Sequence, residues 1–245
     1  MLLADILISL FPQGHYIALA HGLMFGRGTL SGGPITIIGV DGRAHVGVDE
    51  AAWLSRKILD TLDAEETGPI LVLIDSDSQR MSKRDELLGL SEFLAHLAKC
   101  LLYADAKGHP TVGLLYGHSA AGAFIATALA THVLFALPGA HPAVMDLPSM
   151  ARVTKLPIEV LQEKAKSTPV FAPGLDNLVQ TGGVASVLDP TTSLATQLEA
   201  VLAGLNAAAR SQPPDIRDRL GKERHGRPKA ADVAARVCEL ALAAR

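Results

Sequence analysis

The residues of this chain best placed to do chemistry lie in one short stretch, Gly117-His118-Ser119-Ala120-Ala121-Gly122. It follows an apolar run over residues 111–116, so it reads as a strand turning through small residues into a helix. Such a turn leaves the first backbone N–H groups of the helix without intrahelical partners, and those donors form an anion-binding geometry. A reaction that builds negative charge on a thioester oxygen needs them, and losing one oxyanion donor costs roughly 100- to 1000-fold. Close packing of a strand against a helix asks for the same small residues, so the bare turn fits either use.

A second chemistry shares these residues. Gly117-His118-Ser119 opens like the nucleophile elbow G-x-S-x-G of a serine hydrolase, but the second glycine arrives at Gly122, one position late, with Ala121 in its place. A triad on Ser119 would draw on Asp176 or Asp189 with His225, which sits in a charged segment. Asp75 and Asp77, interleaved with Ser76, Ser78 and Gln79 after the apolar run 69–74, lie where strand ends in α/β folds line active sites. They fit metal ligands, an acid/base pair or turn caps, yet no His or Glu stands at a spacing that completes a metal site. Nine histidines include no His-Glu-x-x-His pair, and only His118 falls inside the candidate turn. Gly26-Arg27-Gly28 and Ser31-Gly32-Gly33 lack the strand, helix and lysine of a phosphate loop and read as loop.

Periodicity supplies the elements that position this stretch. Runs over 34–40 and 44–48 joined at Asp41-Gly42 predict a β-hairpin. Asp49 reads as the N-cap of a helix reaching about residue 62, and 69–74 as a buried strand. Leu87, Leu90, Leu94, Leu97 and Leu101 form one stripe of a long helix over 84–103. A helix over 120–130, strands over 131–137 and 143–146, a helix from Pro157 with Lys164 and Lys166 in its last turn, a strand over 184–188 and a helix over 191–209 follow. Residues 211–228 read as a charged mobile linker and 230–244 as a final helix that docks on a partner. The alternation predicts one α/β domain over 1–210, with 1–31 as an N-terminal extension whose apolar residues 1–12 dock on the protein, and a separate C-terminal piece over 211–245.

Composition bounds the partners. A net charge of -3 with no block of like charges offers no footprint for nucleic acid or an anionic membrane. No apolar run approaches the roughly 18 residues of a membrane span. Cys100 and Cys238 lie far apart in helical patterns, which fits neither a disulfide framework nor a metal spacing and points to the reducing cytoplasm.

The strand over 69–75, the long helix, the strand before Gly117, the small-residue turn and Leu137-Pro138-Gly139-Ala140 with Ala143-Val144-Met145-Asp146 together resemble the crotonase-fold carboxyltransferases. The stretches Ile74-Asp75-Ser76-Asp77-Ser78-Gln79 and Tyr116 to Gly122 resemble more closely the gamma subunit of biotin-independent malonate decarboxylase. That resemblance implies a crotonase-type fold of strand-strand-helix units. It also implies a homologous beta-type decarboxylase subunit as partner, and malonyl thioester on the phosphopantetheine-type arm of an acyl carrier protein, with no cofactor bound directly. The family's Gly-Gly oxyanion pair falls here on Ala121-Gly122. Its Asp-x-Pro-Gly-Phe type loop falls on Asp75 to Gln79, where proline and glycine are both missing, which suits an enzyme with no biotin carbonyl to hold. The resemblance thus marks Ala121, Gly122, Gly117, Ser119 and His118 as catalytic candidates and Asp75, Ser76, Ser78, Gln79 and Ala120 as substrate-lining ones. A non-catalytic scaffold that shapes its partner's site is the third reading.

Overall fold

The computed structural model describes residues 1–64, 67–167, 173–208 and 215–244. Helix α1 (Leu3–Leu10) lays Ile6, Leu7 and Leu10 against the body of the protein, the docking expected of the apolar N-terminus. Strands β1 (His15–Ala20), β2 (Leu23–Leu30) and β3 (Gly33–Val46) form an antiparallel meander. Beyond it β4 (Ile70–Gln79), β5 (Thr111–Leu115), β7 (Val133–Ala136) and β9 (Ser186–Val187) add on in parallel, giving a seven-stranded sheet. A separate parallel pair, β6 (His118–Ala120) and β8 (His141–Ala143), stands beyond the end of β4 and β5.

The strands β3 to β5 read as continuous apolar runs because both of their faces are covered. With successive side chains pointing to opposite faces, Val72 and Ile74 join one core with α2 (Val48–Leu62), α4 (Leu90–Ala106) and α5 (Ala121–Thr127). Leu71 and Leu73 join a second core with α1 and α9 (Leu194–Ala208). Each fully buried Leu, Ile or Phe contributes about 1.5–3 kcal/mol. The shorter helices are α3 (Lys83–Leu87), α6 (Leu147–Thr154), α7 (Ile158–Ser167), α8 (Leu175–Gln180) and α10 (Arg217–Glu223), and α11 (Pro228–Ala243) closes the described chain.

Several expectations are corrected. Asp41-Gly42 does not reverse the chain: β3 runs through it, with Gly42 at φ 65° and Arg43 at φ 57° forming a bulge after which pairing with β4 resumes at Ala44. The positive φ that suits a hairpin suits a bulge equally, and the hairpin turn lies earlier, at His21 and Gly22 (φ 53° and 76°). Gly26 and Gly28 are in β2, not a loop. Gly47, not Asp49, caps α2, its N–H donating to Glu50 Oε2 at 2.9 Å. The helix expected over 84–103 is broken by Gly89 (φ 84°), so Leu87 is 76% exposed instead of sharing the stripe of α4. The strand expected over 143–146 ends at Ala143, because Asp146 instead caps α6, accepting from Ser149 N–H at 2.8 Å. Residues 211–214 of the expected linker and Ala209 of the expected helix lie outside the described residues. The rest of the linker contains α10, held by arginine bonds to the core. The short helices α6 and α8 carry no periodic signal long enough to read.

Candidate active site

The parallel sheet brings two stretches about forty residues apart in sequence side by side at the C-terminal ends of β4 and β5. Asp75 Oδ1 accepts the His118 backbone N–H at 2.8 Å. His118 Nδ1 lies 3.0 Å from the Ser76 carbonyl oxygen. A carbonyl only accepts, so Nδ1 carries the hydrogen and Nε2 is left as a hydrogen-bond acceptor. Further along, the Gln79 side chain reaches Gly122, whose N–H donates to Gln79 Oε1 at 2.8 Å. The residues that sequence alone marked therefore come together as one ribbon, β6 lying beside the last residues of β4.

The geometry of that ribbon separates roles. Ser76 Oγ and Ser119 Oγ are hydrogen-bonded at 2.8 Å and both residues are fully buried. Ser119 thus has no open side and no imidazole against it, and Asp189 is occupied in accepting from Thr191. That is not the exposed nucleophile of a hydrolase elbow. Ala120 is extended and Ala121 sits at φ 51°, a left-handed conformation that costs a non-glycine residue about 1–2 kcal/mol. A left-handed residue followed by a right-handed helical one turns successive N–H groups toward the same point, the concavity that holds anionic oxygen. Backbone strain of this kind concentrates where function needs it.

Around the ribbon, Asp77 accepts from Ser78 N–H at 2.8 Å and pairs with Arg43 at 3.1 Å. Burial pushes its carboxyl upward, but the Ser78 N–H and the charges of Arg43, His118 and His45 outweigh this and hold it below the usual range. Ser78 also donates from Oγ to the Gln79 carbonyl at 3.2 Å, and its own carbonyl lies 3.2 Å from His45 Nδ1. Beneath Gly117, the Tyr116 hydroxyl donates to Asp41 Oδ1 at 2.6 Å. Burial first, then the Asp41 bond and the charges of Asp41 and Asp75, push the Tyr116 phenol far upward, so it stays protonated as a donor. Asp41, Arg43 and His45 are additions that spacing could not supply, since only the pairing of β3 with β4 brings them here.

A seven-stranded sheet with parallel crossovers, topped by the β6–β8 pair and an amide-bearing turn into α5, defines a crotonase-fold subunit of the carboxyltransferase type. The fold is shared with transcarboxylase 12S (TM-score 0.64, 16% identity, covering 86% of this chain and 40% of that one). The chain belongs to the malonate decarboxylase gamma subunit family, MdcE, whose pattern matches residues 42–241. It is similar to a chain of a Pseudomonas malonate decarboxylase hetero-tetramer in complex with coenzyme A, with TM-score 0.75 and 25% identity over 98% of both chains. It is also similar to a chain of the Pseudomonas MdcD-MdcE hetero-dimer, with TM-score 0.70 and 25% identity over 96% of this chain and 97% of that one. A Malonomonas rubra relative, malonyl-S-ACP:biotin-protein carboxyltransferase MADD, is 30% identical over 153 residues, 59% of this chain. The chain spans about half the length of that relative, 52%.

Proposed function

We propose that this chain is one of two related subunits that convert malonyl-S-acyl carrier protein into acetyl-S-acyl carrier protein and carbon dioxide. The substrate enters on a phosphopantetheine-type arm and lies between this chain and a homologous beta-type subunit, in the cytoplasm, where two unpaired cysteines suit the reducing environment. The bond between the malonyl carboxylate carbon and C2 breaks. Its electron pair becomes an enolate delocalised onto the thioester oxygen, carbon dioxide leaves, and C2 takes a proton from water. What the protein must supply is hydrogen-bond donors fixed in advance around that oxygen. The Ala121 and Gly122 amides fill this role, and the half-buried His118 and Asp77 stand alongside.

One observation carries the reading: the Gly122 N–H already holds a neutral carbonyl oxygen, Gln79 Oε1, at 2.8 Å. The Gln79 amide stands in for the thioester carbonyl, which displaces it on binding and gains in the bond as charge develops. The test is carbon dioxide release from malonyl-carrier protein by the chain co-expressed with its neighbouring subunits. Gly122→Leu brings a Cβ 3.1 Å from Leu94 and 3.2 Å from Gln79 Oε1. The expected result is an assembled complex with roughly 100-fold less turnover. An assembled variant with full turnover would favour the scaffold reading. Turnover by the isolated chain at the rate of the complex would remove the shared site.

A further inference from the structure

The last residue of β4 and the one after it reach in two directions. Gln79 pairs with Val46 of β3 and extends its side chain to the Gly122 N–H of α5. Arg80 donates its backbone N–H to the Val46 carbonyl at 3.1 Å and sends its guanidinium to the start of α2, where Nη2 donates to Glu50 Oε1 at 2.5 Å. The second oxygen of Glu50 accepts the Gly47 N–H at 2.9 Å, so one carboxylate ties Arg80 to the cap of α2. The other amino group of Arg80, Nη1, lies 4.0 Å from Oδ2 of Asp85, whose side chain is 1% exposed. Among the described residues that oxygen has no hydrogen-bond partner, whereas Oδ1 accepts from Arg84 at 3.1 Å. A buried carboxylate oxygen without a donor is costly unless a cation stands by, and Arg80 supplies that charge. The cage closes around a residue with no side chain: a Cβ on Gly47 would lie 2.7 Å from Asp85 Oδ2, 3.0 Å from Glu50 Oε2 and 3.1 Å from Arg80 Nη1.

Resting on the function proposed above, we infer that Arg80 is a positioning residue for the oxyanion site: clamped between Glu50 and Asp85, it fixes the backbone from which Gln79 covers the Gly122 N–H. The β3–β4 ladder ends at Val46 and Gln79, and the clamp takes over at the next residue. A glutamine side chain gives up rotamer freedom when held in one pose, so its bond to a single amide depends on a backbone already fixed beneath it. An exposed ion pair contributes little of this kind. What sets Arg80 apart is that both its partners are withdrawn from water, their side chains 14% and 1% exposed. Its fork also spans two carboxylates on separate elements, a geometry that an ammonium reproduces only in part.

Hydrogen exchange of the Gly122 amide in the full chain, followed by NMR, reads this directly, because the first amides of a helix have no intrahelical acceptor. Arg80→Ala should speed that exchange by roughly 5-fold, about the weight of one hydrogen bond, while the amides of β5 keep their rates. Arg80→Lys should bring it back to within about twofold of the original. In a Gln79→Ala background Arg80→Ala should add less than about twofold, since the two residues act as one unit. Asp49→Asn, which alters an exposed pair with Arg84, should leave Gly122 unchanged. In the assembled complex Arg80→Ala should lower KM for malonyl-carrier protein by about 2- to 5-fold with kcat nearly unchanged. Gly122 exchange that ignores Arg80→Ala overturns the inference, as does equal acceleration with and without Gln79. A raised KM overturns it too, by placing Arg80 against the substrate. If Arg80→Ala does not fold, Glu50→Gln should speed Gly122 exchange by roughly 3-fold in the presence of Gln79 only, and no change there overturns the inference equally. Failure of the proposed function reads out separately, as an original complex that assembles but releases no carbon dioxide, and leaves the exchange result standing.

Discussion

Asp75 and Gly117 share one volume: a Cβ on residue 117 would lie 2.1 Å from Asp75 Oδ1, the same oxygen that accepts the His118 N–H. Gly117→Ala must therefore push the carboxylate aside and free the amide that fixes the entry to β6. The expected loss is about 1–3 kcal/mol of stability, read by urea unfolding. At a temperature where both proteins are folded, the turnover of the assembled complex should also fall, by roughly 10-fold or more, since small displacements of a positioned group are costly. Full stability and turnover would mean that Asp75 does not set the turn.

Gln79→Ala vacates the Gly122 N–H. If Gln79 holds the place of the substrate oxygen, removing it relieves a competition worth about one hydrogen bond, 0.5–1.5 kcal/mol. The KM for malonyl-carrier protein should then fall by about 2- to 10-fold with kcat less affected. A higher KM would mean instead that the Gln79 side chain contacts the substrate directly.

Ser119→Ala leaves the buried Ser76 hydroxyl without its partner at a cost of about 1–3 kcal/mol. Turnover of the folded complex should persist, and a fluorophosphonate probe should leave the original chain unlabelled at Ser119. Labelling there would revive the nucleophile.

How far these sites were legible follows from what sequence can encode. The apolar strand β4, the helix α4 and the small-residue turn at Gly117 to Gly122 announce themselves locally, through period, run length and glycine. The pairing of Gln79 with Gly122, and of Ser76 with Ser119, is not local: it arises from the parallel register of β4 and β5, and neither residue's type discloses it. Asp41-Gly42 shows the opposite limit. Its conformational preference is real, yet the neighbouring strand decides whether a positive φ becomes a reversal or a bulge. The break at Gly89 is misread for a related reason, since the leucine spacing runs on across it while the backbone does not.

At the far end of the strands, His132 Nδ1 lies 2.8 Å from Asp105 Oδ2. The bond to Asp105 raises the imidazole above its usual value of 6.5 against the opposing effect of burial. A raised value in the folded state means that folding binds the proton more tightly. The pair's contribution is therefore complete below about pH 6.5 and is lost as pH climbs through the folded-state value. Asp105→Asn should lower unfolding free energy by up to about 1 kcal/mol at about pH 5.5 and by progressively less toward about pH 9. A gap constant across that range would exclude the pair as its source.

The bonds of Arg224 run to neutral carbonyl oxygens of Val179, Val184 and Ala185. Dissolved ions screen charge against charge, and they act weakly on a half-buried cation seated among backbone dipoles. Raising ionic strength should thus loosen exposed pairs such as Lys166 with Glu163 long before it frees the C-terminal piece. The seating of the C-terminal piece on the core thereby has a tolerance of salt that the chain's many surface ion pairs do not have.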